Sequence, residues 1–387
     1  MPSSFSALPP AWSDPLFSIA AEAKQAGPTA IDGTVGIVLT EDGLPHALSV
    51  VRKAAMDLAA ASGSRHFSYP PLLGVPEFRK DVLQLLEIPD AASMSTAGGT
   101  AALALAVRTS RVMLGDRVEI LLPTPTWINH HNICHGAGIR TLDVPVFENG
   151  RCSEQKLLDT LDGSDKPRAL LVQAGCHNPT GLDLSEDSWK SLATLAARHS
   201  IIVILDIAYQ GFSASPAEDI GPLRILRAAG VTTLVAWSAS KNHSIYGLRT
   251  GLVAASTASE EEKKRAEGQF MQHARTFTSA APVTGQEIVH HVQSRYLEEW
   301  QRELAELRSL FQKKREMLSV KLPMFSDALR GHGMFALLPL TSDQIRILRE
   351  EYRVFLAPDG RINIAGLALQ RMEELIEAMK KVTSTQA

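Results

Sequence analysis

The sequence predicts an α/β architecture: a large domain with a mostly parallel central sheet flanked by helices, plus a smaller α+β domain. Two observations carry this. Between residues 94 and 237, short runs apolar on both faces alternate with helical patterns, as strands buried on both sides of a parallel sheet require. From residue 259 the character changes to charged, strongly helical stretches, followed by short apolar runs and turns.

Taken in order, residues 1–27 form a Pro/Ser-rich arm. Within it Asp14-Pro15 reads as an N-cap with proline at the first helical position, opening a short helix to about Lys24. Residues 31–39 read as a strand, and Gly33 and Gly36 mark a close backbone approach. Residues 47–61 have helical spacing (Val50, Val51, Ala54, Leu58). Residues 67–74 must be irregular because of Pro70 and Pro71, and Pro76 opens another helix. Residues 94–107 read as strand, glycine turn and helix. Strands at 118–122, 169–173, 201–205 and 231–237 are separated by helices near 129–135, at 186–199 and at 219–229. Helices follow at 260–272 and 296–320, the second long enough to bridge two domains. An apolar stretch (334–338), a helix (341–352), a turn at Pro358-Asp359-Gly360, a short strand (361–365) and a C-terminal helix complete the smaller unit. The expected division is an arm and short helix at 1–27, a large domain at 45–300, and a small domain made of 28–44 with 301–387.

The 387 residues are 45% apolar and 21% charged, with a net charge of −3, and basic residues do not cluster. That speaks against a nucleic-acid partner. Cys134, Cys152 and Cys176 fit neither a disulfide framework nor a metal site, so a reducing compartment is expected. No apolar run reaches the ~18 residues that span a bilayer. The N-terminus lacks the basic start and apolar middle of a secretory signal. The chain reads as complete, cytoplasmic and without a membrane segment.

The chemistry gathers around Ser238-Ala-Ser240-Lys241, directly after a buried strand, with Arg249 eight residues on. A lysine so placed can form a Schiff base with an aldehyde, while hydroxyls and an arginine hold a phosphate on the same molecule. Pyridoxal 5'-phosphate (PLP) needs both. Gly99 and Thr100, in a glycine turn feeding a helix, offer a second anion-binding element. Asp206, at the end of the 201–205 strand, can pair with a protonated pyridine nitrogen. Asn178 and Tyr209 can bond a phenolate oxygen, Trp127 can stack on a ring, and Arg361 can grip an α-carboxylate bidentately. The remaining pairs have blander readings. His130, His131 and His135 lack a carboxylate at metal-site spacing. His290-His291 and Cys176-His177 are adjacent and poorly oriented for joint chemistry. His243, two residues past the lysine, could touch substrate or modulate the lysine.

His-Asn-Pro-Thr-Gly (177–181), Asp-x-Ala-Tyr-Gln-Gly-Phe (206–212), Ser-x-Ser-Lys-Asn (238–242) and Gly-Arg-Ile-Asn-Ile-Ala-Gly (360–366) occur in this order. The set resembles the PLP-dependent class I aminotransferases, specifically the aspartate/aromatic branch, from about Pro10 to Val382. The resemblance implies the type I PLP-transferase fold and these roles. Lys241 binds the cofactor covalently and shuttles the proton. Asp206 pairs with the ring nitrogen, Asn178 and Tyr209 contact the phenolate oxygen, and Trp127 stacks. Gly99, Thr100, Ser238, Ser240 and Arg249 hold the phosphate, completed by Tyr69 from a neighbouring subunit. Arg361 holds the α-carboxylate, and Gly36 lies in a loop that closes over it. Arg275 is lent across a homodimer to a dicarboxylate side chain, and the N-terminal arm is pinned on the partner. The implied reaction moves an amino group from an L-amino acid to a 2-oxo acid such as 2-oxoglutarate by a ping-pong route.

There are departures from the family pattern. His243-Ser244 replaces Phe-Gly, and Thr278-Ser279-Ala280 replaces Tyr-Ser-Asn. Leu39 and Ser68 are less polar than usual in aspartate enzymes. These changes point toward aromatic or dual specificity. Two other readings stay open: a PLP-dependent lyase, racemase or cyclase on the same fold, kept open by His243-Ser244, and a non-catalytic ligand sensor.

Overall fold

The structure, a computed structural model, describes residues 5, 8–11, 13–61, 68–148, 150–163 and 168–384. Phe67, the start of the arm and the last three residues lie outside the described residues. The centre is a seven-stranded sheet. Its order is Ala92–Ala97, Thr250–Ala255, Thr233–Ser238, Ile202–Ile207, Arg168–Gln173, Glu119–Thr124 and Arg140–Pro145. All neighbours pair in parallel except Thr250–Ala255, which runs antiparallel to both of its partners.

Every residue of Ile202–Ile207 and Thr233–Ser238 is buried, which is why neither strand alternates in sequence. Helices cover both faces. The helix Gly99–Leu114 packs on the strands from one side. Phe78 and Val82 of Pro76–Leu85 and Trp300 of the long helix Leu297–Lys321 sit in the apolar cluster on the other.

A separate apolar cluster collects Ile31, Leu318, Leu348, Val354, Ile362, Leu375 and Met379. It lies around two small sheets, Ile31–Asp32 with Val354–Phe355 and Phe335–Leu337 with Arg361–Asn363. Thr341 closes a full capping box on Ser342–Tyr352. At the other end of the chain, Asp14 Oδ1 accepts from the Leu16 N–H at 2.9 Å at the start of Pro15–Ala26.

Three expectations need correcting. The strand expected over 31–39 stops after Asp32. Gly33 sits against Ile362 and Leu356, and the backbone then leaves the sheet. Side chains take over its polar groups: Arg361 donates to Thr34 O, Asn363 to Val35 O and Ile37 O, and the Val38 N–H donates to Tyr246 Oη. The strand expected over 361–365 ends at Asn363 and tightens into a 3₁₀ turn. Two strands of the central sheet, the helices Glu154–Asp162 and Val283–Arg295, and the two-residue strands Phe147–Glu148, Arg151–Cys152 and Val354–Phe355 were also not read from sequence. Arg140–Pro145 is a half-exposed edge strand carrying charge, and Thr250–Ala255 is made mostly of small residues. The helix Val283–Arg295 hides Gln286 and Glu287 inside, which blurs its apolar stripe.

Candidate active site

Strand register brings the predicted residues together. Gln173 stands opposite Asp206, Asp206 opposite Ala236, and Ser238 opposite Gly251, which in turn faces Thr96. Asn178, Asp206 and the Ser238–Lys241 segment therefore emerge on one edge of the sheet, beside the glycine turn. This is where open α/β sheets hold their ligands.

The anion-binding end is assembled around Gly98. It caps Gly99–Leu114 with φ 81° and no capping side chain, so the first helical N–H groups face outward. A Cβ on Gly98 would lie 2.5 Å from Arg249 Nη2, and one on Gly99 would lie 3.0 Å from Ser238 Cβ. Both glycines are required for arginine, serine and helix start to approach this closely. Ser238 Oγ accepts from the Ser240 N–H at 3.2 Å. Hydroxyls, N–H donors and a guanidinium converge on one spot, which fits a phosphate.

Lys241 lies between this cradle and Arg361. Its Nζ donates to Gly36 O and stands 4.9 Å from the Tyr246 ring centroid. Burial, and then the nearby Arg361 and Arg249 cations, lower its pKa to about 7. Asp206 Oδ2 meets His130 Nε2 at 3.1 Å, and His130 Nδ1 meets Thr126 Oγ1 at 2.8 Å. Trp127 is half-buried, edge-on to His130.

Asn178 Nδ2 donates to Tyr209 Oη at 3.3 Å, and Asn178 Oδ1 accepts from Arg361 Nη1 at 3.1 Å. Burial, with Asp206 nearby, pushes the Tyr209 phenol up. Arg361 also donates through Nη2 to Thr34 O at 2.9 Å, its guanidinium lies 4.5 Å from the Phe335 ring centroid, and its buried Nε has no partner. A fork with unspent donors beside a lysine fits a carboxylate ligand.

Tyr69 and Arg275 are not brought to this centre. Tyr69 is 98% exposed, and Arg275 is exposed with Nη1 bonded to its neighbour Ser279 Oγ at 2.7 Å. His243 does not reach it either. It is fully buried, stacked on Trp300 at 4.9 Å, with Nδ1 2.9 Å from Asn242 Oδ1 and Nε2 3.2 Å from Gln293 Nε2. Burial lowers its pKa to about 3, so it is a neutral core residue. Cys176-His177 stays inert: burial pushes the thiol well up and lowers His177 to about 3, with its ring stacked on Phe147 at 4.0 Å. His290 and His291 pair with Asp81 and Asp57. Among the described residues no cluster of three or more His, Cys, Asp or Glu could hold a metal.

Three contributors were missed in the sequence. His130 contacts Asp206, and its signal was its place three residues past Trp127, on the first turn of Asn129–Gly136. Gln173 brackets Asn178, accepting its N–H at 2.9 Å and donating to its carbonyl at 3.0 Å. Tyr246 ties the lysine segment to the Gly36 loop. Neither of the last two had a signal beyond proximity to a motif.

A lysine amine of lowered pKa, a carboxylate–histidine pair, a phosphate cradle and a carboxylate fork on the strand ends of an α/β sheet define a PLP-dependent enzyme. The comparisons agree. Residues 31–379 match the family described as aminotransferase class I and II. Aspartate aminotransferase of Escherichia coli K12 is 30% identical over 373 residues, 92% of this chain and 93% of its own. Aromatic-amino-acid aminotransferase of Paracoccus denitrificans is 30% identical over 352 residues, 87% and 89% of the two chains. The crystal structure of an aromatic-amino-acid aminotransferase from Burkholderia pseudomallei, covalently bound to pyridoxal phosphate, superposes with a TM-score of 0.92 at 29% identity. It covers 98% of this chain and 99% of the other. The chain belongs to the aminotransferase class I and II family. It is an aminotransferase with PLP as cofactor. No helix among the described residues is long and apolar enough to cross a membrane.

Proposed function

We propose that this aminotransferase moves the amino group of an L-amino acid, aromatic or dicarboxylic, to a 2-oxo acid such as 2-oxoglutarate in two half-reactions. The observation that carries the reading is the position of Lys241, its pKa lowered to about 7, beside a carboxylate-reading arginine.

PLP, when bound, supplies an electron sink for the pair left on the substrate α-carbon after its proton departs. The chain's residues do the rest. Gly99, Thr100, Ser238, Ser240 and Arg249 would hold the phosphate, and Trp127 would cover the ring. Asp206, bonded to His130, would keep a proton on the ring nitrogen. Asn178 and Tyr209 would bond the phenolate oxygen. Arg361 would hold the α-carboxylate and so aim the α-hydrogen at Lys241. Burial favours the neutral form of the Lys241 amine, which can take that proton and return it.

The exposure of Tyr69 and Arg275 supports a homodimer in which each completes the partner's site, Tyr69 at the phosphate and Arg275 at a dicarboxylate side chain. The separate apolar cluster supports a division into a large domain at 45–300 and a small one at 28–44 with 301–387. We place the protein in the cytoplasm on its cysteine usage. The burial of His243 takes away the feature that favoured a lyase, racemase or cyclase.

The test is single-turnover spectroscopy of the PLP-loaded protein with aspartate, glutamate, tyrosine or phenylalanine and no oxo acid. We expect conversion to the absorbance of pyridoxamine phosphate, with the order of rates giving the preferred side chain. No conversion by any of the four would rule out this substrate assignment.

A further inference from the structure

We propose that Arg315 is a positioning residue for the α-carboxylate clamp: its guanidinium fixes Phe335, and through Phe335 the Arg361 fork. The proposal rests on the reading of Arg361 given above.

Arg315 lies on Leu297–Lys321 and is 0% exposed. A buried cation is costly unless its donors are satisfied. Arg315 donates to four main-chain carbonyls of one segment: Leu329 at 3.4 Å, Gly333 at 3.3 Å, His332 at 2.8 Å and Phe335. Spreading over four carbonyls uses the wide planar fork of an arginine. A lysine brings the same charge from a single point.

What this holds in place is the backbone that carries the Phe335 ring, which is wedged among three parts of the site. The Arg361 guanidinium rests 4.5 Å from its centroid, and the Tyr209 ring meets it edge-on at 6.1 Å. A Cβ on Gly36 would lie 2.6 Å from Phe335 Cζ. A shift of Phe335 therefore moves the surface on which Arg361 lies.

The second support of Arg361 is tied to the same point. Asn178, which accepts from Arg361 Nη1, leads into Gly181. A Cβ on Gly181 would lie 2.4 Å from Phe335 O and 2.5 Å from Arg315 Nη2. The His332 N–H donates to Gly181 O at 2.7 Å. Arg315 thus stands where the segments carrying Phe335 and Asn178 cross, and both flank the fork.

The test measures carboxylate affinity apart from chemistry. The probe is 3-phenylpropionate, which has a carboxylate and no amine, titrated into PLP-loaded protein, alongside KM and kcat for phenylalanine. For R315K we expect the probe Kd and the KM to rise together by about 10-fold, kcat to stay within about 3-fold, and the visible spectrum of the bound cofactor to be unchanged. F335L should act the same way, and R315K/F335L should be no worse than the weaker-binding single variant. Unchanged probe affinity in R315K, or losses that add in the double variant, would overturn the proposal. If R315K does not fold, F335L decides, since unchanged affinity there breaks the route. R361K separates the two readings. If R361K loses affinity and R315K does not, the Arg315 inference falls alone. If neither does, the assignment of Arg361 falls and takes this inference with it.

Discussion

Asp206 and Tyr209 are 5% and 6% exposed, while Tyr69 is 98% exposed, although the sequence assigned all three to one cofactor site. The enclosed residues are set by strand register and by hydrogen bonds within the chain. Asp219, for example, accepts from the Gly211, Ser213 and Ala214 N–H groups and so fixes the loop after Tyr209. Tyr69 stands out from the surface, and among the described residues the Arg275 side chain bonds only its near neighbour Ser279. Leu72 and Phe277, within three residues of them along the chain, are large apolar side chains left exposed. One half of the site is finished by folding; in the proposed dimer a second copy would complete the other. The contrast shows that a motif fixes a residue's chemistry without fixing whether its own chain encloses it.

The strongest challenge to the enclosed half is Lys241→Ala. It removes the nucleophile and the proton carrier together, and kcat should fall by about 10⁴-fold or more with PLP still bound noncovalently. A smaller loss, measured by steady-state transamination, would mean another group carries the proton.

The exposed half is tested next. Arg275→Leu should lower kcat/KM for aspartate by about 10²-fold, as loss of a buried charge partner does, and change phenylalanine by less than about 3-fold. Hybrids of Lys241→Ala with Tyr69→Phe/Arg275→Leu chains should regain aspartate activity in one site per dimer. Hybrids no more active than either parent would place Tyr69 and Arg275 in their own chain's site.

A third prediction concerns what the enclosed lysine costs. Its folded pKa is depressed from 10.5 to about 7, so below pH 7 the cofactor-free protein carries a partly buried cation beside two arginines. The unfolded chain binds more protons between pH 7 and 10.5, so stability rises with pH across that window. Relative to Lys241→Met, the wild-type protein should gain up to ~5 kcal/mol from pH 6.5 to 10.5, less to the extent that solvent reaches the amine. Urea unfolding of both proteins checks this, and parallel pH profiles would show that Lys241 titrates normally.

The smallest effect is expected at His243, next to the site in sequence and behind it in space. Phenylalanine keeps the stack on Trp300 and loses the hydrogen bonds to Asn242 and Gln293. We expect a loss of about 1–2 kcal/mol in stability and activity within about 3-fold. A large drop in kcat, or a shifted pH dependence of the cofactor absorbance, would return His243 to the mechanism.

Much of this was legible because the chemistry-bearing residues follow buried strands. Lys241, Asp206 and Asn178 each come just after an apolar run, and the parallel sheet aligns such ends automatically. His130 was harder to place. A histidine beside two others on a short helix gives no hint that it faces a carboxylate 76 residues away. His243 misled for the opposite reason, since closeness to Lys241 along the chain says nothing about which side of the backbone it occupies.

By itself, the sequence determined the alternation of buried strands and helices that carries the site, the cofactor-binding motifs and the pairing of an amine with phosphate- and carboxylate-binding groups. Those follow from local periodicity and from residue types whose chemistry does not depend on context. Only the tertiary structure decided that residues 33–39 leave the sheet to cover Lys241, that His130 serves Asp206, and that Arg315 spends its donors on the segment beneath Arg361. Each depends on contacts between parts of the chain that are far apart in sequence. Burial and hydrogen-bond satisfaction settle such contacts once the whole fold exists, and no local pattern encodes them.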